Sequence, residues 1–556
     1  MRSLVTPAGA LGRIRRFRQV VNALIKYGFG DVLTRIRIWE VCNIEQRFLR
    51  RECKLPGLNA PQRLRLALEE LGPTFIKLGQ ILSTRPDIVP PDIINELKKL
   101  QSSVHFVPVA TIKGIIESEL GQPVEKIFDS FDETPLAAAS LAQVHRAVLK
   151  GKPVALKVQR PGIVETTSVD VDIMRSLAAL AERYVPSIYL VNPTGLVDEF
   201  AQQLKKELDF RMEANNLRHF RQNFADDETI RVPEPYMDLC TKRIVTMEYL
   251  DGINISDTSQ LRAKGYNFDL IARRGALAAF KATFQHGFFH ADPHPGNIFV
   301  LPGNVIGLVD FGMMATLSMR DRERLAKLVY FISKRDEKRV ARALNELMES
   351  EDVVPAETLE PSMTSIIQEY GDLAVKEVKL AAMLFAMIRA VVSHGARLRP
   401  ELLWVTKSIA TEEEVAHSLG ADFNLMDLGR PFASKVMTQK FNPARIPEEL
   451  YFWLVDSLDT FRDIPYDVGI VLREVRKGRL KIEFEHLGLE PIRRTIDRLA
   501  KRMSLTILIA ALLMSSAVVT LAHVPPFVGS IPLLGFLGYM LAVVLGIILT
   551  VSMMRR

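Results

Sequence analysis

The spacing of hydrophobic residues divides the chain into parts with different periods. Residues 1–120 repeat apolar positions at helical intervals, residues 121–312 alternate strand-like and helix-like runs, and residues 318–490 are again mainly helical. Two uncharged runs of about 20 residues each, SLTILIAALLMSSAVVTLA and LLGFLGYMLAVVLGIILTVSMM, follow near the end. The pattern therefore predicts an α+β centre between helical flanks, with a separate apolar segment after them.

The two terminal apolar runs are each long enough to cross a bilayer at 1.5 Å per residue. Two buried core helices are the alternative, but neither run carries a charge or a polar stripe, which favours membrane spans. Lys501 and Arg502 precede the first run, and Arg555 and Arg556 follow the second. Because cytoplasmic flanks are enriched in lysine and arginine, both ends are predicted to face the cytoplasm. The sequence thus predicts an inner-membrane protein with a transmembrane hairpin at 504–553 and its bulk on the cytoplasmic side.

Composition narrows the class of protein without identifying a chemistry. At 556 residues the chain is too long for one core, and 48% hydrophobic residues exclude general disorder. Lysine and arginine exceed aspartate and glutamate by only 72 to 65, so the charge gives no reason to expect a nucleic-acid partner. Cys42, Cys53 and Cys240 form neither a CxxC pair nor a disulfide framework, which fits a reducing compartment.

The amino-terminal segment LGRIRRFRQVVNALIKYG is basic and amphipathic. It lacks the uninterrupted apolar core and the small-residue cleavage site of a secretory signal, so secretion is not expected. An ordinary surface helix, a membrane-touching helix and an organelle transit peptide all fit the pattern. The sequence alone leaves these three open.

Small residues and a strand lysine in the central part predict a phosphate-binding site. Residues 153–161, PVALKVQRP, alternate as a strand does and carry Lys157. A second predicted strand, Leu141 to Leu149, precedes it and itself follows a run of small residues, namely Ala137, Ala138, Ala139 and Ser140. Small side chains let backbone amides approach a phosphate, and this order of elements is that of a kinase amino lobe, whose lysine contacts the α- and β-phosphates. A lone strand lysine is usually solvated, so the prediction depends on the elements around it.

The sequence after Lys157 predicts an acidic partner for this lysine and a hinge between two lobes. The segment LVDEFAQQLKKELDFRMEANNLRHFRQNF predicts one long helix, on which Asp209 and Glu213 lie four residues apart on one face. We expect Glu213 to pair with Lys157 and hold it toward phosphate. The predicted strand RIVTME ends at Met247 and Glu248 before a polar turn, as the hinge between kinase lobes does. Both are therefore predicted to contact the nucleotide.

The stretch HADPHPGNIFVLPGNVIGLVDFG has the pattern H-x-D-x-x-x-x-N followed by D-F-G. Phosphoryl transfer needs oxygen ligands for Mg²⁺, and Asn297 and Asp310 lie at the two ends of a predicted hairpin, where they can supply them. Asp292 is then free to orient the attacking hydroxyl or water, or to accept its proton. His290 is predicted to order the loop, and a zinc site of His290, Asp292 and His294 is the disfavoured rival.

The segment after this motif argues against a protein substrate. A helix is predicted to begin near Ser318, where Ser318 and Asp321 resemble a capping box, soon after Asp310. The chain thus has no room for a long activation segment, no arginine before Asp292, since Ala291 stands there, and no nearby APE-like sequence. Phosphorylation of proteins in trans is therefore not expected.

Three passages together resemble a known family. In PTFIKLGQILSTRPDIVP a KxGQ motif is formed by Lys77, Gly79 and Gln80, and in KELDFRMEANN an ExD motif is formed by Glu207 and Asp209. The third passage is the alanine-rich loop described above, in place of a glycine-rich loop. With these motifs the chain resembles, from about residue 60 onward, the UbiB family of atypical kinase-like proteins associated with ubiquinone biosynthesis.

The resemblance implies an atypical protein-kinase-like bilobal α+β fold with a helical extension, a helical carboxyl-terminal region and the membrane hairpin. The expected parts are a basic helical segment at 1–60, the KxGQ extension at 61–120, the nucleotide-binding core at 121–317, the helical region at 318–495 and the hairpin at 504–553. It also implies that the helix with the KxGQ motif folds over the active site, where Lys77 pairs with Glu207. ATP or ADP is expected to bind with Mg²⁺. The implied partners are membrane lipid and polyprenyl quinone intermediates, other ubiquinone biosynthesis proteins and, as an option, a second copy of the chain.

Three functions follow from these observations. A membrane-anchored, Mg²⁺-dependent ATPase or atypical kinase that supports ubiquinone synthesis is favoured. A lipid or small-molecule kinase of the aminoglycoside or choline type and a nucleotide-sensing scaffold are the alternatives. Hydroxylation of the quinone ring is not supported, because the sequence has no flavin or haem signature and no iron-type triad that we identify. The aromatic segment FWLVDSLDTFRDIP is predicted to pack in a core.

Overall fold

The structure is a computed structural model that describes residues 7–38, 57–83, 85, 88–100, 106–185, 192–348, 354–371, 380–396, 399–421, 423–439, 490–522, 525–528 and 531–554. The chain divides into two compact units, Met1–Ile446 and Pro447–Arg556. The aromatic segment FWLVDSLDTFRDIP, together with Cys42 and Cys53, lies outside the described residues.

Helices form the amino-terminal extension of the larger unit. They are α1 Pro7–Lys26, α2 Gly30–Arg35, α3 Ala60–Leu71, α4 Pro73–Leu82, α5 Pro91–Leu97, α6 Val109–Leu120 and α7 Val124–Ile127. In α1, Val20 and Val21 are fully buried, and Arg16 lies 2.7 Å from the buried carboxylate of Asp170. The apolar face of α1 therefore packs inside the protein, as that of an ordinary surface helix does.

Strands of this unit form three sheets. The strands are β1 Ser130–Phe131, β2 Ala137–Ala138, β3 Ala142–Leu149, β4 Lys152–Gln159, β5 Ile230–Arg231, β6 Ile244–Glu248, β7 Ile253–Asn254, β8 Phe288–His290, β9 Ile298–Leu301, β10 Val305–Leu308 and β11 Met314–Thr316. The first sheet is antiparallel with the order β1-β3-β4-β6, and β2 also pairs with β3. The second sheet has the order β5-β10-β9-β7. The third consists of β8 and β11. Lys150 and Gly151 join β3 to β4 with φ of 50° and 76°, the left-handed pair that a two-residue hairpin of this kind requires.

Three helices follow the β3–β4 hairpin: α8 Ile163–Tyr184, α9 Pro193–Glu207 and α10 Phe210–Asn223. The prediction of one long helix across α9 and α10 is wrong, because the helix is interrupted at Leu208 and Asp209. The break has a local cause: the side chain of Asp209 accepts a hydrogen bond from the backbone N–H of Arg211 and so caps a new helix. Asp209 is therefore a capping residue, whereas Glu213 is buried within α10.

The carboxyl lobe of the larger unit is mainly helical. Its helices are α11 Thr258–Ala263, α12 Phe268–Phe280, α13 Met319–Ser333, α14 Glu337–Asn345, α15 Ala356–Gly371, α16 Leu380–Ser393, α17 Pro400–Ser418 and α18 Leu425–Gln439, and a π-helix Lys281–His286 continues α12. One hydrophobic core joins α12, α13, α16 and α17, with Phe280, Leu328, Met387 and Val405 among its buried side chains. The sheet-based amino lobe and this helical lobe together make the predicted kinase-like α+β fold.

The helix predicted near Ser318 is confirmed. Ser318 Oγ accepts a hydrogen bond from the backbone N–H of Asp321 at 3.1 Å and caps α13. The chain therefore passes from the DFG sequence through β11 into α13 within a few residues, which leaves no room for a long activation segment.

The smaller unit contains α19 Glu490–Leu521, β12 Phe527–Val528, β13 Ile531–Pro532 and α20 Leu533–Met554. Within α19, the 19 residues Met503–Leu521 have a mean hydropathy of 2.2 and form one helix long and apolar enough to cross a membrane. The apolar part of α20, Leu533–Ile547, is shorter. Side chains such as Ile507 and Met514 are exposed, which differs from a core helix. Among the described residues, the structure thus contains one candidate membrane span and a shorter apolar helix where the second was predicted.

Candidate functional site

Lys157 lies at the centre of the candidate site. It stands on β4 with Val144 and Val245 opposite it on the two neighbouring strands. Its Nζ atom is 2.6 Å from Glu213 Oε1 and 3.4 Å from Asp310 Oδ2. Glu213 reaches the lysine because α10 packs against β6. The predicted lysine–glutamate pair is therefore present in the structure.

A short hairpin brings Asn297 and Asp310 to the same end of β9 and β10. Ile298 lies opposite Leu308 in this hairpin, and the backbone N–H of Val309 donates to the carbonyl oxygen of Asn297 at 3.2 Å. The amide and the carboxylate predicted to bind Mg²⁺ consequently lie at the same end of one hairpin, and both line one cavity.

His290 ties the loop that carries Asp292 to the DFG sequence. Its Nε2 atom donates to the carbonyl oxygen of Asp310 at 2.7 Å, and its Nδ1 atom accepts from the backbone N–H of Asp292 at 3.1 Å. Together these contacts require a neutral ring with its proton on Nε2. Burial lowers the pKa of His290, which favours that neutral form. Both ring nitrogens of His290 are therefore engaged by the backbone. His294 Nδ1 accepts a hydrogen bond from the backbone N–H of Gly296. The contacts of these two histidines do not support the rival zinc site.

Lys77 enters the site from α4. Its Nζ atom lies 2.9 Å from Glu207 Oε2 on α9, and the two side chains are only 14% and 6% exposed. It also lies 3.4 Å from the Met313 sulfur, next to the DFG sequence. The other carboxylate oxygen of Glu207, Oε1, is buried, and no group of the described residues forms a hydrogen bond with it. The pair implied by the family resemblance is thus present and leaves one polar atom of the site unsatisfied.

Gly79 and Asp209, from the same two motifs, have structural contacts instead. A methyl group added at Gly79 would lie 2.9 Å from Leu68 Cδ1 and closer still to Leu100, so the glycine permits two helical segments to touch. Gln80 is not among the residues that line the cavity described below, and Asp209 caps α10. Of the KxGQ and ExD motifs, only the lysine and the first acid reach the site.

One cavity of about 100 Å³ joins these groups. The predicted site residues that line it are Lys77, Ala139, Ser140, Lys157, Glu207, Glu213, Asp292, Asn297 and Asp310. His290, Gly312 and Met313 also line it. The predicted phosphate, catalytic and metal residues therefore converge on one space.

The predicted hinge residues and the first two alanines lie outside this cavity. Met247 is buried in the sheet opposite Ala155, and the Glu248 carboxylate forms an ion pair with Arg231. Ala137 and Ala138 form β2, so the small-residue loop contributes only Ala139 and Ser140 to the cavity wall.

Lys407 is a residue of the site that the sequence pattern did not reveal. It lies on α17, and its Nζ atom is 3.0 Å from Asp292 Oδ1. No short motif marks it, and a lone lysine in a predicted helix is normally interpreted as a surface charge. The packing of α17 against α12 and β11 brings this part of the chain to the loop that carries Asp292.

Burial and neighbouring charges together set the ionisation of the central groups. Burial opposes the charge of Lys157, but Asp310 and Glu213 outweigh it and raise the pKa of Lys157. Burial likewise opposes ionisation of Asp310, yet Lys157 and the N–H of Gly312 hold the pKa of Asp310 well below its usual range. At Glu213 burial dominates and raises the pKa of the carboxyl group despite Lys157. Asp310 is therefore a firmly ionised carboxylate, whereas burial favours the protonated form of Glu213.

These residues fit a magnesium-bound polyphosphate. The oxygens of Asn297 and Asp310 are of the kind that Mg²⁺ prefers, and Asp310 carries the charge such a ligand needs. The Lys157 ammonium and the small residues Ala139 and Ser140 face the same cavity, where they can meet phosphate oxygens.

An apolar cavity of about 40 Å³ is lined by the catalytic-loop residues His290 and Pro293 and by Glu412 of α17. Burial there raises the pKa of Glu412 to about 7. Because this folded-state pKa exceeds the unfolded value of about 4.3, the contribution of Glu412 to stability is present below that value and is lost as pH rises through 7.

Replacement of Glu412 by glutamine is therefore expected to stabilise the protein at pH 8, by at most about 4 kcal/mol, and to change little near pH 4. Chemical unfolding of both proteins between pH 4 and pH 9 measures this difference. Glu414→Gln, at an exposed position of the same helix, is the matched control. A Glu412→Gln effect that does not change with pH would contradict the assignment.

Comparison with known proteins identifies the relatives of this chain. Residues 99–344 match the family model of the ABC1 atypical kinase-like domain, and residues 487–555 match that of the ABC1/UbiB kinase-like C-terminal domain. A Clostridium pasteurianum protein named "Uncharacterized protein in hydrogenase 1 5'region" is 30% identical, covering 98% of this chain and 99% of that protein. The "Probable protein kinase UbiB" of Aeromonas hydrophila is 33% identical, covering 83% of this chain and 86% of that protein.

One similar solved structure shares the chain's fold only approximately. A Mycobacterium tuberculosis protein solved in complex with erythromycin matches with a TM-score of 0.48 and 23% identity, covering 67% of this chain and 95% of that chain. The kinase-like architecture is therefore assigned from the family match and from the sheets and helices of the chain itself.

Proposed function

This chain belongs to the ABC1/UbiB family of atypical kinase-like proteins, and from that premise we propose that it is a membrane-anchored, Mg²⁺-dependent ATPase or atypical kinase that supports ubiquinone biosynthesis. The observation that carries the proposal is the convergence of Lys157, Asp292, Asn297 and Asp310 on one cavity. These are the residue types that phosphoryl transfer uses for the phosphates, the nucleophile and the metal.

Each side chain has a distinct role in this proposal. Lys157, held by Glu213, binds the α- and β-phosphates of ATP or ADP, and Ala139 and Ser140 cover them from the small-residue loop. Asn297 and Asp310 hold Mg²⁺, which supplies charge neutralisation at the phosphate oxygens. Asp292 orients the attacking water or hydroxyl and accepts its proton.

Membrane attachment gives this chemistry a location. The apolar helix Met503–Leu521 supports anchoring, and the proposed arrangement is a two-helix hairpin in the inner membrane with the larger unit in the cytoplasm. The proposed partners are membrane lipid and polyprenyl quinone intermediates and other ubiquinone biosynthesis proteins, with homodimer formation as an option. Nucleotide turnover would then make lipid-embedded intermediates accessible to soluble enzymes.

The test is to measure phosphate release and phosphate incorporation by the purified full chain with Mg-ATP, with and without anionic liposomes. We expect release that liposomes stimulate, without stable incorporation into protein or lipid, and loss of release in an Asp292→Asn variant. Incorporation into an added lipid or small molecule would favour a small-molecule kinase instead. Tight nucleotide binding with neither activity would favour a nucleotide-sensing scaffold and refute the ATPase.

A further inference from the structure

Asp292 obtains its counter-charge from distant parts of the chain. The segment between Asp292 and Asn297 is Pro-His-Pro-Gly, and Ala291 precedes it, so the loop itself carries no lysine or arginine there. The ammonium groups that influence Asp292 belong to Lys407 and Lys77. Burial opposes ionisation of Asp292, but these two groups outweigh it and hold the pKa of Asp292 below its usual value.

Of these two ammonium groups, that of Lys407 contacts the Asp292 carboxylate directly. The ion pair joins Lys407 Nζ to Asp292 Oδ1 at 3.0 Å, and the two side chains are 18% and 29% exposed. Lys77 is instead bonded to Glu207. No described residue forms a hydrogen bond with the second carboxylate oxygen of Asp292. Asp292 is one of the residues that line the cavity. One oxygen of the proposed catalytic carboxylate is thus held, and the other remains available.

The helix that carries Lys407 is held firmly in place. Val405 is 1% exposed and Thr406 is fully buried, and α17 packs against α12, α16 and β11. An ammonium group on such a helix has a smaller range of positions than one on an exposed surface helix, so less entropy is lost in forming the pair. Lys407 therefore has the fixed position that orienting another side chain requires.

We propose that Lys407 is a positioning residue for phosphoryl transfer, whose ammonium group holds Asp292 by Oδ1 so that the second oxygen faces the attacking water or hydroxyl. This inference rests on the proposed function and gives the helical region after the DFG sequence a part in the reaction. Lys407 does not line the cavity assigned to the nucleotide, so its contribution is to the rate of the chemical step and not to nucleotide affinity.

The kinetic test compares Lys407→Met, Lys407→Arg and the control Lys435→Met, an exposed lysine on α18, in the full-length protein with liposomes. We expect Lys407→Met to lower kcat for phosphate release by about 10- to 100-fold, with Mg-nucleotide affinity and KM almost unchanged. Lys407→Arg keeps the charge and is expected to recover part of the loss. Lys435→Met should behave as wild type.

A second readout needs no turnover. In nucleotide-free protein, Lys407→Met is expected to lower the Tm in the wild-type background and by clearly less in an Asp292→Asn background, because the pair is already broken there. Equal Tm effects in both backgrounds, an unchanged kcat, or a loss of nucleotide affinity that matches the loss of kcat would each overturn the positioning role. Absence of turnover in the wild type would refute the proposed function and, with it, the positioning role of Lys407. The coupling of the Tm effects would still show whether Lys407 and Asp292 form an ion pair. If Lys407→Met does not fold, Lys407→Gln, which also lacks the charge, takes its place, and wild-type kcat in that variant would overturn the proposal.

Discussion

Replacement of Asp310 by asparagine is expected to abolish magnesium-dependent phosphate release, with a fall in kcat of about 10³-fold or more. Lys157 and the N–H of Gly312 hold the pKa of Asp310 well below its usual range despite burial, and of the two proposed metal ligands Asp310 alone carries a charge. Asparagine keeps the size of the side chain but removes that charge, so the affinity for Mg²⁺ falls while the neighbouring backbone contacts can persist. Phosphate release measured against Mg²⁺ concentration gives both effects.

Asp227→Asn is the matched control for this variant. Asp227 is also a mostly buried aspartate in an ion pair, 3.0 Å from Lys281, but it lies outside the cavity. Both variants lose a partly buried salt bridge, so both are expected to lower the Tm, whereas only Asp310→Asn should lose turnover. Turnover by Asp310→Asn at the wild-type rate and the wild-type Mg²⁺ requirement would contradict the metal assignment.

The sequence predicted the part of the site that local motifs encode. Asn297 and Asp310 were recognisable because one short hairpin joins them, and the spacing of such a hairpin is a local property. Lys157 was recognisable because a small-residue loop and a strand precede it. Pairing of Lys157 with Glu213 followed from the chemistry of phosphate binding, which requires an acid to hold the lysine.

What the sequence did not predict depends on long-range packing or on capping. Lys407 reaches Asp292 only because α17 packs in the carboxyl-lobe core, and no local pattern specifies that contact. The break between α9 and α10 was missed because Asp209 was considered as an acid on a helix face, whereas its side chain caps the next helix. Gly79 belongs to the quoted motif, but its role is steric, and a steric role is visible only when the neighbouring leucines are in place.

Replacement of Lys157 by methionine is expected to destabilise the protein by about 3 kcal/mol at neutral pH, because it leaves the buried Glu213 carboxyl group and the partly exposed Asp310 carboxylate without their cation. Glu213 and Asp310 lie 2.6 Å and 3.4 Å from the Lys157 ammonium, and the Glu213 side chain is only 7% exposed. Urea unfolding of the variant and of wild type at pH 7 measures the difference. The variant is also expected to lose Mg-nucleotide binding, which isothermal titration reports separately.

The destabilisation by Lys157→Met should depend on pH in a definite direction. The pKa of Glu213 is already raised in the wild type, and removal of the ammonium group raises it further. A carboxyl group with a raised folded-state pKa contributes stability at low pH that is lost as pH rises through that pKa, so the deficit should be smaller at pH 5 than at pH 8. The double variant Lys157→Met/Glu213→Leu removes both charges and should be more stable than the single variant at pH 8, since a buried apolar pair costs less than an unpaired charge. A double variant less stable than Lys157→Met, or a deficit that grows as the pH falls, would show that Lys157 and Glu213 do not form the buried pair on which the nucleotide site depends.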